Sequence, residues 1–80
     1  MDRISIIDLK KGERAVIVSH HGGRLFERRM SSLGLRSHAV IKKISSQLFH
    51  GPVTIQVGNS QVALGHGMAR RIYVERINNE

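Results

Sequence analysis

The sequence predicts a mainly β fold, a small five-stranded antiparallel barrel with one short inserted helix and a C-terminal helical turn. Five short segments are rich in the β-branched residues Val and Ile, and glycines stand at the joints between them. A single segment repeats its apolar residues with the period of a helix. Because eighty residues suffice for one small domain and not for two, residues 1–80 are expected to form a single domain.

The first part of the chain contains one turn and one strand. SIIDLKKGE, residues 5–13, predicts a short helical turn or a loop in which Ser5 and Asp8 form local hydrogen bonds and Gly12 turns the chain. ERAVIVSH, residues 13–20, has an uninterrupted apolar centre followed by glycines, which predicts a strand that is buried on both faces.

The segment RLFERRMSSLGL, residues 24–35, predicts one amphipathic helix of two to three turns. Phe26, Met30 and Leu33 recur at helical spacing and form the apolar stripe, and arginines occupy much of the other side.

A glycine is expected to end this helix. With Leu33 as the C-cap, Gly34 takes the left-handed position that glycine adopts without a steric penalty, and Leu35 contacts Met30. A β-branched residue at position 34 is expected to cost roughly 1 kcal/mol or more.

The rest of the chain alternates with a period of two, which indicates strands. In HAVIKKIS, residues 38–45, the alternation places Lys42 on one face and Lys43 on the other. The segment is therefore rich in residues that favour strands, but neither of its faces is purely apolar. Gly58 and Asn59 predict a hairpin turn, and GHGMARR predicts one helical turn between glycines. The predicted strands after the helix are residues 38–45, 53–57, 61–64 and 72–77.

The positive charge of the chain is unevenly distributed. Thirteen Lys and Arg residues against six Asp and Glu residues give a net charge of +7, which favours acidic partners. Residues 24–43 carry six of the basic residues and one acid, Glu27. This segment is either an ordinary solvated face or a surface that contacts a partner.

Several classes of function are excluded or unsupported by the sequence. There is no cysteine, so a disulfide, a thiolate metal site and a cysteine nucleophile are impossible. No GxxxxGK loop is present, and no pair of carboxylates is placed to share acid and base roles, so the chain is expected not to be an enzyme and to have no catalytic residues. The sequence contains no signal peptide and no apolar run of membrane-spanning length, so we expect a soluble, unprocessed, cytoplasmic protein.

The five histidines do not form a recognisable metal motif. His20 and His21 are neighbours on a strand and point to opposite faces, and the other three could converge only through folding. The sequence therefore predicts neither a metal ligand nor a cofactor. The three separate histidines are His38, His50 and His66.

Together, three segments resemble the ferrous iron transport protein A family, FeoA, over residues 4–77. They are DLKKGERAVIVSHHGG, RRMSSLGL and GPVTIQVGNSQVALGHGMARRIYV. The ordered combination carries the resemblance: Leu9 and Gly12, the paired glycines 22 and 23, the LGL end of the helix, Pro52, and Ala63-Leu64 before Ala69, Ile72 and Val74.

The resemblance implies an SH3-like barrel with a small helical insertion, a domain type that also occurs fused to metal-dependent repressors. It further implies a protein encoded beside the membrane ferrous iron transporter FeoB that acts on FeoB's cytoplasmic, GTPase-bearing region. Two departures from the family pattern stand out: Ser37-His38 replaces a common Pro-Gly, and residues 65–68 lack the charged residues of many members.

We therefore hypothesise a docking module, located at the inner face of the membrane through its partner. Its predicted partner-binding residues are Arg24, Arg28, Arg29, Arg36, Leu48 and Phe49. The arginines supply charge from the helix, and the two apolar residues supply a contact from the loop before Pro52. An equally weighted interpretation is that Leu48 and Phe49 cover the open end of the barrel.

The alternative function is that of a small basic barrel that binds nucleic acid. The net charge suits phosphate contacts, but base stacking requires exposed aromatic rings among the basic residues. The chain has three aromatic residues, and we expect Phe26 to lie in the core. Nucleic acid is therefore the less favoured partner.

Overall fold

The structure is a computed structural model that describes residues 3–46 and 49–77. Its two helices are α1, Arg24–Ser32, and α2, His66–Arg70, and a 3₁₀ turn occupies Ile6–Asp8. The strands are β1 Arg3–Ser5, β2 Arg14–His20, β3 Val40–Ser46, β4 Val53–Val57, β5 Ser60–Leu64 and β6 Ile72–Arg76. The prediction of a mainly β fold with one inserted helix and a C-terminal helical turn is confirmed.

The strands form one antiparallel sheet in the order β1-β6-β2-β3-β4-β5. The described residues thus contain six strands rather than the predicted five. The additional strand, β1, pairs with β6 through Ile4 opposite Val74. Within the described residues β1 and β5 lie at opposite ends of the strand order and do not pair, so the sheet is not the closed barrel that was predicted.

The prediction that the first long strand is buried on both faces is wrong. In β2, Ala15 and Ile17 are fully buried, but Val16 and Val18 are only half-buried. Only one face of this sheet lies on the main core, where β-branched side chains from β2, β3, β4 and β6 meet. A run of apolar residues in a strand therefore does not show that both faces of the strand are buried.

The C-terminal end of α1 is a Schellman cap, as predicted. Gly34 has a φ of +82°, its N–H donates to the carbonyl of Ser31 at 3.0 Å, and the N–H of Leu35 donates to the carbonyl of Met30 at 2.8 Å. Met30 and Leu35 both belong to the buried core. This cap fixes the orientation of α1 on the sheet.

Replacing Gly34 with valine should lower the free energy of unfolding by about 1–2 kcal/mol, because a Cβ is disfavoured at positive φ. A Cβ there would also lie 3.6 Å from Val57 Cγ1, which leaves little room for branching. Urea unfolding measures the loss. As the control, Gly67→Ala places a methyl group in open space inside α2 and should stabilise slightly. Equal effects of the two substitutions would contradict the assignment.

Lys43 is the one buried charged residue in the described part of the chain, with 3% of its surface exposed. Its Nζ donates to the carbonyl oxygens of Ile6, Ile7 and Leu9 at 3.1, 2.9 and 2.7 Å. All three ammonium protons therefore have acceptors. Burial lowers the pKa of Lys43, and the carboxylates of Asp8 and Glu13 partly oppose that effect.

An ion pair between Arg76 and Glu13 also holds residues 6–13 in place. Arg76 Nε donates to Glu13 Oε2 at 3.0 Å, and the backbone N–H of Lys10 donates to Glu13 Oε1 at 2.7 Å. The hydrogen bond from Lys10, with a smaller effect of Arg76, lowers the pKa of the Glu13 carboxyl. Residues 6–13, which have little regular structure, are thereby held onto the sheet.

Candidate protein-docking surface

The side of α1 that faces away from the core carries mainly arginine. Met30 of α1 is buried and Phe26 packs partly against the core, so the opposite side of the helix faces solvent. Arg24, Arg28 and Ser32 follow one another at intervals of four residues on that exposed side. Leu25 and Arg29, also four residues apart, form an adjacent row.

We call Arg24, Leu25, Arg28 and Arg29 the arginine surface. All four residues are exposed. In residues 3–46 and 49–77 the only ion pair is Arg76 with Glu13, so none of these guanidinium groups is neutralised by a carboxylate of the described chain. The predicted exposure of the helix arginines is observed.

Leu25 is a member of this surface that the sequence reasoning missed. Its side chain is 79% exposed, the largest exposure of any large apolar side chain on a described helix. Its position outside the stripe of Phe26, Met30 and Leu33 was the available signal. An exposed leucine surrounded by arginines gives the surface an apolar centre with a charged margin, as in many protein interfaces.

Arg36 lies beyond the helix cap and is also exposed. It lines a cleft of about 340 Å³ between α1 and β2, into which Glu27 also faces. Arg36 therefore lines this cleft and is not counted with the arginine surface.

The structure separates the predicted apolar contact from the arginines. Leu48 lies outside the described residues. Phe49 is 93% exposed, so it does not cover the core, contrary to one of the two interpretations of this loop. It lines a cleft with Ile7, Gly51 and His66, and no residue of α1 lines that cleft.

The aromatic residues are not arranged as a platform for bases. The ring of Phe26 is half-buried, stacks on His20 with centroids 5.7 Å apart, and lies 5.7 Å from the guanidinium carbon of Arg71. Tyr73 is half-buried in β6. Phe49 is thus the only fully exposed aromatic ring of the described chain, and the arginine surface contains none, so the geometry does not favour nucleic-acid stacking.

Two of the separate histidines converge. His50 Nδ1 and His66 Nε2 are 3.2 Å apart, although the residues are 16 positions apart in sequence. Across the described ranges no three His, Asp or Glu side chains are grouped so that they could hold a metal ion.

Neither helix that the structure describes has the length and apolar character needed to cross a bilayer.

Comparisons with known proteins agree with this architecture. A family model described as the FeoA domain matches residues 4–76. A protein of Methanocaldococcus jannaschii, described as "Putative Fe(2+) transport protein A", is 33% identical over 66 residues, which cover 82% of this chain and 78% of that protein.

Solved structures show the same fold. The crystal structure of an iron uptake regulatory protein, FeoA, matches with a TM-score of 0.86 at 27% identity, over 96% of this chain and 100% of that one. A manganese-dependent transcriptional repressor matches with a TM-score of 0.85 at 16% identity, over 94% of this chain and 42% of that one, a likeness that shows the fold alone. The small SH3-like fold is therefore confirmed, and the chain belongs to the FeoA domain family.

Proposed function

We propose that this chain is a non-enzymatic accessory protein of ferrous iron uptake that docks on the cytoplasmic, GTPase-bearing region of the membrane transporter FeoB. Membership of the FeoA domain family and the name of the M. jannaschii relative support the connection with Fe(2+) transport. The observation that supports docking is the arginine surface, whose charges have no acidic partner in the described chain. Such docking would hold the protein at the inner face of the membrane.

The chemistry of the arginine surface suits an acidic protein partner. Guanidinium groups bind carboxylates through two parallel hydrogen bonds, which gives both attraction and orientation. Leu25, exposed among the arginines, supplies an apolar contact that the partner can bury. Because the Schellman cap and Met30 fix α1 on the sheet, little backbone conformational entropy is lost when the surface is covered, and the entropic cost lies mainly in ordering the arginine side chains.

Docking regulates the transporter only to the extent that it distinguishes between transporter states. If the arginine surface binds one conformation of the GTPase-bearing region more tightly than another, it shifts the equilibrium by the difference in binding free energy. A surface that binds all states equally would tether the protein without changing turnover.

The test is charge reversal on α1. The double variant Arg24→Glu/Arg28→Glu should weaken binding to the purified cytoplasmic region of FeoB by about 30-fold or more, which corresponds to about 2 kcal/mol. Titration calorimetry at two salt concentrations measures the loss. Wild-type affinity should fall as salt rises, because exposed charges are screened.

A matched control reverses two exposed arginines elsewhere. Arg14→Glu/Arg70→Glu changes the net charge by the same amount, on β2 and α2. It should retain most of the affinity. Equal losses in the two double variants would show that only the overall charge matters, and unchanged binding by the α1 variant would remove the arginine surface from the site.

A further inference from the structure

His50 and His66 form a pair that the docking function does not use. The pair lies in the cleft lined by Ile7 and Phe49, to which α1 does not contribute. His50 Nδ1 and His66 Nε2 face each other at 3.2 Å, and the two ring planes meet at 87° with centroids 4.5 Å apart. Both side chains are reached by solvent.

The fold itself sets the distance between the two rings. In the β4–β5 hairpin, Val53 pairs with Leu64 at the end that faces away from the turn. His50 precedes Val53 by three residues, and His66 follows Leu64 by two, so the hairpin brings both to the same end. His66 is the first residue of α2, whose Ala69 is buried, so its backbone is anchored to the core.

His50 is held in an unusual backbone conformation. Phe49 and His50 have φ values of +59° and +64°, a left-handed region that is uncommon for residues other than glycine, although histidine adopts it more often than phenylalanine does. Two successive left-handed residues turn the loop so that the imidazole of His50 reaches His66.

We propose that His50 and His66 are a two-nitrogen binding site for a divalent transition-metal ion such as Zn²⁺ or Ni²⁺. Two imidazole nitrogens that bind one tetrahedral ion at about 2.0–2.1 Å are separated by roughly 3.3 Å. The two nitrogens therefore already stand at chelating distance. The ion replaces the hydrogen bond between the rings, and the bridging proton moves to the other nitrogen of its own ring, so neutral imidazoles need release no proton.

The surroundings of the pair select the class of ion. No carboxylate lines the cleft, and the other polar side chain that lines it is Lys43. Neutral imidazoles favour borderline transition metals, whereas Mg²⁺ and Ca²⁺ require oxygen ligands. The Lys43 ammonium donates to three backbone carbonyls and weakens cation binding through its charge. Water occupies the remaining coordination positions, which makes the site open and its affinity modest.

The test is a calorimetric titration of the tag-free chain with Ni²⁺ at neutral pH. We expect one ion per chain, weaker binding at acidic pH as protons compete for the imidazoles, and an increase in Tm with Ni²⁺. His50→Ala and His66→Ala should each weaken binding by roughly tenfold or more, because either change abolishes chelation. Thermal unfolding without metal checks that each variant folds.

The matched control is His20→Ala/His21→Ala, which removes the histidine that ends β2 and the histidine that follows it. It should leave the affinity for the single Ni²⁺ ion unchanged. Co²⁺ provides a second measurement, since its paramagnetism should broaden amide signals around positions 50 and 66 first. Unaltered binding in both single variants, or a loss confined to the control, would overturn the proposal.

Discussion

Replacing Lys43 with methionine is expected to lower the free energy of unfolding by about 3 kcal/mol. Methionine fills a similar volume but donates no hydrogen bond, so the carbonyls of Ile6, Ile7 and Leu9 lose their shared donor. Each unsatisfied buried carbonyl costs about 1–3 kcal/mol, and relief of the buried charge offsets part of the sum. Urea unfolding measures the difference.

The neighbouring lysine provides the control. Lys42 is exposed on the same strand, so Lys42→Met should change stability by less than about 0.5 kcal/mol. If the two lysine variants were equally stable, the buried ammonium would have no structural role.

The difference in unfolding free energy between wild type and Lys43→Met should depend on pH, because the pKa of Lys43 is lowered in the folded chain. The folded chain releases the Lys43 proton at a lower pH than the unfolded chain, whose lysine keeps its usual value near 10.5. Between those two pKa values the unfolded state binds more protons, so wild-type stability should rise with pH relative to Lys43→Met. Below the lowered pKa of Lys43 in the folded chain, the difference should not vary with pH.

Leu35→Ala is expected to destabilise the protein by about 3 kcal/mol, the second large effect. Leu35 is 1% exposed and follows the cap glycine, so truncation leaves a cavity in the core beneath α1. It also removes the side chain that accompanies Met30 at the end of the helix. Denaturant unfolding monitored by circular dichroism checks the value.

A leucine-to-alanine change at an exposed position tests whether burial is what makes Leu35→Ala destabilising. Leu25→Ala alters an exposed leucine and should stay within about 0.5 kcal/mol of wild type. It should nevertheless weaken docking, since Leu25 belongs to the arginine surface. Equal destabilisation by the two leucine variants would contradict the burial argument.

The features that depend on nearby residues could be predicted from the sequence. The end of α1 required only Gly34 and the spacing of Met30 and Leu35, and the structure has the predicted hydrogen bonds. The β4–β5 hairpin followed from alternation on either side of Gly58, which has a φ of +58°. In both cases the controlling interactions lie within a few residues.

The features that depend on distant residues could not be predicted in this way. Three residues, Arg3–Ser5, carry too little pattern to indicate a strand, and their partner β6 lies about seventy positions away. Alternation placed Lys42 and Lys43 on opposite faces without showing which face the core covers. The carbonyls that accept from Lys43 come from a segment more than thirty positions earlier.

The two candidate sites differ in the same way: the arginine surface depends on nearby residues, and the pair of His50 and His66 depends on distant ones. Exposure of the helix arginines follows from helical periodicity, and Leu25 could have been identified as the apolar residue outside the stripe. The approach of His50 to His66 depends on the Val53–Leu64 register and on two left-handed residues, neither of which is visible in composition.

The position of β6 in the sheet has a consequence for the kinetics of folding. Strands β3, β4 and β5 are sequential neighbours and can pair after closing short loops. Strand β6 pairs with β1 and β2, so its pairing closes most of the chain into a loop. The entropic barrier for that closure is large, and we expect the docking of β6 to limit the folding rate.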